Sequence, residues 1–263
     1  MAWFEQSVQF NREVLKLAHV TDSHLFASRH GEYFGVNTAD HFLACLTHMA
    51  TKNLDAVVFG GDLTQDHSVE SYSLFAQLIA ESPLTCPVFW LPGNHDELNL
   101  LTSLANKQIS NAKRLITNSF AVLLLNSKGA TPAGWVTDAH LTEVVDCLEQ
   151  KKLPSVVFCH HNPLPINGYL DKHMLENGPQ LLNRLNNSNY VNWLFHGHVH
   201  NNYEFDYRDM KVVSTPASSV QFLKNTPDWQ QQNQGAAYRL ITLSMSAESG
   251  NLTCDTELVW LNV

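Results

Sequence analysis

The chain has 263 residues, 44% of them apolar and 16% charged, which supports one large domain with a sizeable core and excludes a disordered chain. Its formal net charge of -9 argues against a nucleic-acid polymer as partner, because polymer binding rests on many Lys or Arg contacts to phosphate. Five scattered cysteines (Cys45, Cys86, Cys147, Cys159 and Cys254), odd in number and without C-x-x-C spacing, point to neither a disulfide framework nor a thiolate zinc site. No apolar run reaches membrane-span length, and residues 1–17 carry charges where a secretory signal needs an apolar core. The expectation is a cytoplasmic protein in one domain, residues 1–263, with no membrane partner.

In chain order, apolar stretches at 14–20, 56–59, 88–91, 156–159 and 191–195 read as buried strands. Helical spacing appears over 38–49, with Phe42, Cys45, Leu46 and Met49 on one face, and over 138–148, with Leu141, Val144, Val145 and Leu148, where Thr137 and Asp138 can cap. Residues 97–114 read as a cap segment whose terminal Lys113 and Arg114 are solvated. A hairpin is expected at 203–214 and two more strands at 238–244 and 257–263, around a turn at 247–251. The Gln- and Asn-rich stretch 225–235 reads as a mobile surface loop, with a lid over a pocket as the sharper possibility. Strands alternating with helices indicate α/β architecture.

Five short polar runs each close one of the apolar strands: Asp22-Ser23-His24, Gly60-Gly61-Asp62, Gly93-Asn94-His95-Asp96, His160-His161 and Gly197-His198-Val199-His200. In open α/β sheets ligands gather beyond the carboxyl ends of strands, so the placement suggests one pocket. Asp22 and His24, two apart on an extended strand end, would point the same way and grip one ion. The glycines before Asp62 let a carboxylate enter the site, where its two oxygens can bridge two metals. Asn94 offers a neutral oxygen and His95 a proton. His198 and His200 can address two ions about 3.5–4 Å apart, as in paired-metal hydrolases. His19, His41, His48, His67, His140 and His173 match no motif and read as surface or packing residues.

In this order the five runs resemble the blocks D-x-H, G-D, G-N-H-[DE], H and G-H-x-H of the calcineurin-like metallophosphoesterases, across residues 22–200. The resemblance implies a four-layer α/β/β/α sandwich of two mixed sheets. It also implies two metal ions, one held by Asp22, His24, Asp62 and His200 and the other by Asp62, Asn94, His160 and His198. His95 would be the catalytic acid. The phosphate side of the site would involve His24, Asp62, Asn94 and His200, and His161 would support a ligand or face the substrate. With imidazole and carboxylate ligands and no thiolate, the ions would come from Fe, Mn, Zn, Co or Ni.

Segments 20–26, 35–38, 90–96, 160–165 and 215–222 are similar, more narrowly, to bacterial class III cyclic-AMP phosphodiesterases. Asn162 and His196 depart from that pattern without touching an implied ligand. The resemblance implies a metal-dependent hydrolase that opens 3′,5′-cyclic AMP to 5′-AMP by attack of a metal-bridging hydroxide, with a small anionic phosphoester as its substrate. Two alternatives stay open. One is a hydrolase of another small phosphoester, such as a nucleotide, a glycerophosphodiester or a phosphomonoester; the other is a non-catalytic binding scaffold. Oligomeric state is unknown from sequence.

Overall fold

Strands buried on both faces read as unbroken apolar runs, and in the computed structural model, which describes residues 2–263, such runs form the centres of two mixed sheets. The six-stranded sheet runs Leu252–Leu261, Ala236–Met245, Val14–Val20, Ala56–Phe59, Val88–Trp90 and Ile109–Ser110 across its width. Its last four strands are parallel and its first two antiparallel. The seven-stranded sheet runs Ser7–Gln9, Arg114–Ile116, Ala121–Leu124, Ser155–Phe158, Val191–His196, Met210–Ser214 and Glu204–Tyr207.

Strand alternation assigns each side chain to a layer. Leu15 and Leu17 point inward with Ala56, Val58, Val122, Leu124, Val156 and Phe158, filling the space between the sheets. Ala18, Val20, Val57 and Phe59 point outward onto Phe42, Leu46 and Met49 of helix Thr38–Met49 and Phe75, Leu78 and Ile79 of helix Val69–Glu81. On the other sheet Leu123, Val157 and Leu194 meet Leu141, Val144 and Leu148 of Asp138–Lys151 and Leu181, Leu182 and Leu185 of Gly178–Ser188. The expected α/β/β/α layering is therefore present. Helix starts are fixed by side chains that accept an orphan backbone N–H: Asn37 from Asp40, Ser68 from Ser71 and Thr137 from His140. Asp138 is the first helical residue, and the cap is Thr137.

Two expected surface segments are built differently. Within residues 97–114, Leu98–Ser103 is a short helix that buries Leu101, and Ile109–Ser110 is the edge strand of the six-stranded sheet. The apolar side chains of the segment are spent on the core. Lys113 is buried, donating from Nζ to the Trp90 carbonyl at 2.6 Å with the ammonium over the Trp90 ring. Lys113 is therefore not solvated. Stretch 225–235 includes Gln231–Gln232, which pairs with Gln221–Phe222 as a small hairpin. The Gln221 side chain ties its base, donating to the Ala217 and Gly235 carbonyls and accepting from the Gln234 backbone.

Candidate metal centre

The parallel strands Val14–Val20, Ala56–Phe59 and Val88–Trp90 in one sheet, and Ser155–Phe158 and Val191–His196 in the other, end toward one place. All five polar runs meet there. Asp22 Oδ1 lies 3.3 Å from His200 Nε2 and 3.9 Å from His160 Nε2, and Asp62 Oδ2 lies 3.3 Å from His160 Nε2 and 3.8 Å from His24 Nε2. His24 Nε2 and His200 Nε2 face each other at 3.0 Å. Four overlapping groups can hold a cation: Asp22, His24 and His200; Asp22, Asp62 and His160; His24, Asp62 and His95; and His160, His161 and His198.

Backbone geometry carries these side chains inward. Strand Val14–Val20 stops before Asp22, and Asp22 and His24 are left-handed (φ 55° and 45°) where an extended strand end was expected. The physical reason is a second zipper beyond the sheet. Asp22 N–H donates to the Gly61 carbonyl, His24 N–H to that of Asp62 and Leu25 N–H to that of Leu63. Asp62, His198 and His200 are left-handed too (φ 54°, 66° and 52°). Such conformations cost on the order of 1 kcal/mol or more each and persist where surrounding contacts over-determine them. Gly61 (φ +96°) permits the crossing: a Cβ there would lie 2.5 Å from the Gly93 nitrogen and 2.8 Å from His160 Nδ1.

The outer atoms of the ligand residues are fixed so that the inner ones face the site. His160 Nδ1 donates to the Gly60 carbonyl at 2.8 Å and His200 Nδ1 to the Val220 carbonyl at 2.7 Å, which leaves each Nε2 as the free electron pair. Asp96 accepts the backbone N–H groups of Gly93, Asp62 and Leu63, each at 2.8 Å, and so locks one turn to another. The Ser127 hydroxyl accepts the N–H groups of His160 and His161 and pairs with His161 Nδ1 at 2.9 Å. Lys128 Nζ donates to the Asn94 carbonyl. With its Nε2 3.3 Å from the Pro132 carbonyl, His161 has both ring nitrogens engaged and packs against His160 and His198.

The donor set fits divalent cations. Buried Asn94 Oδ1, His160 Nε2 and His198 Nε2 have no hydrogen-bond partner in the protein, an arrangement that is expensive unless a cation completes it. The imidazoles are also held in a ligating state. Burial first, then His200, lowers His24 to about 3; burial, then His161 and His160, takes His198 well below its ordinary value. His160 is the exception: burial would lower it, but the Asp62 and Asp22 carboxylates raise it to about 9. A cation bound beside those carboxylates would displace that proton.

His95 is half-buried above this floor. Its backbone N–H donates to Asp62 Oδ1 at 2.9 Å, and its ring is 5.0 Å from that of His24 and stacked on His67 at 5.4 Å. Tyr33, Leu170, His173, Phe222 and Trp229 line the same cavity as His24, Asp62, Asn94, His95, His198 and His200. Sequence reasoning assigned no part in the site to Asp96, Ser127, Lys128, Tyr33, His67, His173 or Trp229. Asp96 had a signal in its place directly after Gly93-Asn94-His95, and Trp229 in the possibility that stretch 225–235 is a lid.

Comparisons with known proteins agree with this geometry. The calcineurin-like phosphoesterase family matches residues 15–202. The chain is 56% identical over 262 residues, all of both chains, to a "Probable cyclic nucleotide phosphodiesterase" of Pseudoalteromonas sp. (strain SM9913). It is 32% identical over 251 residues, 92% of this chain and 88% of the relative, to the 3′,5′-cyclic adenosine monophosphate phosphodiesterase CpdA of Escherichia coli (strain K12). A dimetal phosphatase from Danio rerio shares the fold at 12% identity, with a TM-score of 0.62 over 92% of this chain and 99% of that one. By sequence and by fold, this chain belongs to the calcineurin-like phosphoesterase family.

Proposed function

We propose that this chain is a two-cation phosphodiesterase that hydrolyses 3′,5′-cyclic AMP to 5′-AMP. The observation that carries the reading is the buried cluster of unpartnered donors, complete in a chain similar along 92% of its length to CpdA of Escherichia coli. Asp22, His24, Asp62 and His200 would hold one cation, and Asp62, Asn94, His160 and His198 the other. When bound, such a pair supplies Lewis-acid charge to the phosphoryl oxygens and makes water nucleophilic at neutral pH. Mn, Fe, Zn, Co or Ni suit the donors.

The side chains do the rest. Asp62 carries negative charge to both halves of the cluster, and burial, although unfavourable to that charge, is outweighed by His160, so its carboxyl stays ionised. His95 holds a proton for the departing 3′ oxygen. Burial lowers its pKa, which Asp62 only partly offsets, and an anionic phosphodiester beside the ring would raise it toward the protonated form. A sugar alkoxide is a poor leaving group, so this proton is worth roughly 10²–10⁴-fold. His24, Asp62, Asn94 and His200 form the phosphate side of the cavity, and His161 supports His160 and His198 from behind.

The same reading treats residues 1–263 as one metallophosphoesterase domain, acting in the cytoplasm on a small anionic substrate and on neither nucleic-acid polymer nor membrane. Among the described residues no helix is long and apolar enough to cross a membrane.

The test is a substrate panel. Protein stripped and reloaded with Mn, Fe or Zn is assayed against cyclic AMP, cyclic GMP, 2′,3′-cyclic AMP, a glycerophosphodiester and a phosphomonoester. The expected result is the highest kcat/KM on cyclic AMP. A phosphomonoester or glycerophosphodiester turned over faster than every cyclic nucleotide would overturn the assignment.

A further inference from the structure

The rim of the cavity is aromatic, and cation chemistry does not call for that. The hairpin of Glu32–Tyr33 and Val36–Asn37 brings Tyr33 onto His24, with ring centroids 4.9 Å apart and planes 24° apart. At its tip Phe34 lies 4.5 Å from Tyr33, 46% exposed. Phe34 is left-handed (φ 52°) beside Gly35 (φ 76°), a conformation that a bulky side chain rarely adopts and that glycine would adopt freely.

From the opposite side comes the hairpin of Gln221–Phe222 and Gln231–Gln232. It lays Phe222 flat on His200, at 4.1 Å and 15°, and presents Trp229, 39% exposed, 4.6 Å from Phe222. Tyr169 supports Trp229 edge-on at 5.1 Å. Phe34 and Trp229 meet at 6.0 Å and 46°, a wedge open to solvent above the donor cluster. Two unrelated hairpins thus each expose an aromatic ring at one point, one of them on a strained residue, although water disfavours both.

We propose that Phe34 and Trp229, backed by Tyr33 and Phe222, form the platform on which the substrate's nucleobase stacks. Every base has a π-face, so such a platform binds a nucleotide through its base without reading hydrogen-bonding edges. The inference rests on the phosphodiesterase reading for its substrate. It extends that reading by dividing the ligand between two surfaces, phosphate on the floor and base on the rim.

The test is equilibrium binding of 5′-AMP and of ribose 5-phosphate, its base-free counterpart, to Mn-loaded protein by calorimetry. The unaltered protein should prefer 5′-AMP by about ten- to a hundredfold, the scale of a base stacked on an aromatic ring. Trp229→Ala and Phe34→Gly should each remove about tenfold of that preference while leaving ribose 5-phosphate affinity in place. Trp229→Phe should restore most of it, and the loss should fall on KM for cyclic AMP more than on kcat. Glycine suits the left-handed position, and retained ribose 5-phosphate binding reports a folded site. Equal affinity for the two ligands in the unaltered protein, or parallel loss of both in the variants, would overturn the platform. If cyclic AMP is hydrolysed but 5′-AMP binds no more tightly than ribose 5-phosphate, the platform falls and the phosphodiesterase reading stands. If 5′-AMP is preferred but cyclic AMP is not turned over, the reverse holds.

Discussion

The floor of the site consists of buried side chains, Asp22, His24, Asp62, His160, His198 and His200, whereas the rim above it carries Phe34 and Trp229 partly exposed to solvent. Floor residues are over-determined. Their backbones zip to one another, Asp96 ties three N–H groups, and each outer imidazole nitrogen of His160 and His200 is bonded to a carbonyl. Rim residues stand on hairpins of two-residue strands. The contrast separates two tasks. Placing charge within a few tenths of an ångström needs rigid, hydrogen-bonded groups, while holding a flat apolar ligand needs only exposed rings.

Breaking the floor should do the most damage. Asp62→Asn keeps the shape but removes the charge shared by both halves of the cluster. The expected outcome is loss of at least one cation by metal analysis and a fall in kcat/KM of roughly 10³-fold, the equivalent of several kcal/mol of charge stabilisation. Full metal occupancy with a near-normal rate would refute the shared role.

His95 lies between floor and rim, and its removal sharpens the division. His95→Ala should leave both cations bound and slow cyclic AMP hydrolysis by about 10²–10⁴-fold. The nitrophenolate group of bis(p-nitrophenyl) phosphate departs without protonation, so that substrate should lose less. Equal losses on the two substrates, or a metal-depleted variant, would mean that His95 positions phosphate or ligates an ion.

A smaller effect is expected from Asp96, which touches neither substrate nor cation. Burial, then Asp62, raises its pKa to about 6, yet its carboxyl oxygens still accept three backbone N–H groups. Asp96→Asn puts an amide donor against those donors. Metal affinity should fall by about 10–100-fold, as is usual when a group orienting the ligands is lost. Unchanged affinity in a metal titration would show that the turns hold without it.

A separate effect, on stability and not on the site, concerns His19, which is buried behind the floor between Phe158 and Phe195 and paired with Thr215 Oγ1 at 2.7 Å. Burial, then Arg239, lowers its pKa to about 3. Between pH 6.5 and 3 the unfolded chain therefore binds one more proton at this position than the folded one. The His19 contribution to stability is complete above pH 6.5 and is lost as pH falls toward 3, by about 1.4 kcal/mol per pH unit. In metal-free protein, His19→Gln should flatten the acid limb of a denaturation series by that slope. An identical slope would place the acid sensitivity elsewhere.

Floor and rim also differ in how far the sequence reveals them. Apolar runs ending in Asp22, Asp62, Asn94, His160 and His198 are legible because strand burial and ligand chemistry are both written in local residue types. Helix Thr38–Met49 is legible from its apolar spacing, while Gly178–Ser188 escaped notice beside its Asn-rich polar face. The left-handed backbone of Asp22 and His24 was not legible, since it depends on pairing with residues 61–63, about forty positions away along the chain. Lys113 read as solvated because it is charged; a buried amine bonded to a carbonyl and an indole has no local signature. Of the rim, stretch 225–235 was legible as a loop or a lid, but nothing local marks Phe34 as its neighbour. Phe34 and Trp229 come from hairpins far apart in the chain, and only the fold brings them to 6.0 Å.

The most direct test of the central claim is a metal titration with product analysis. Apoprotein titrated with Mn under saturating cyclic AMP should gain activity until two equivalents are bound, and the product should be 5′-AMP alone. Activity that plateaus at one equivalent, or a product mixture containing 3′-AMP, would contradict a two-cation floor that opens the ring at its 3′ oxygen.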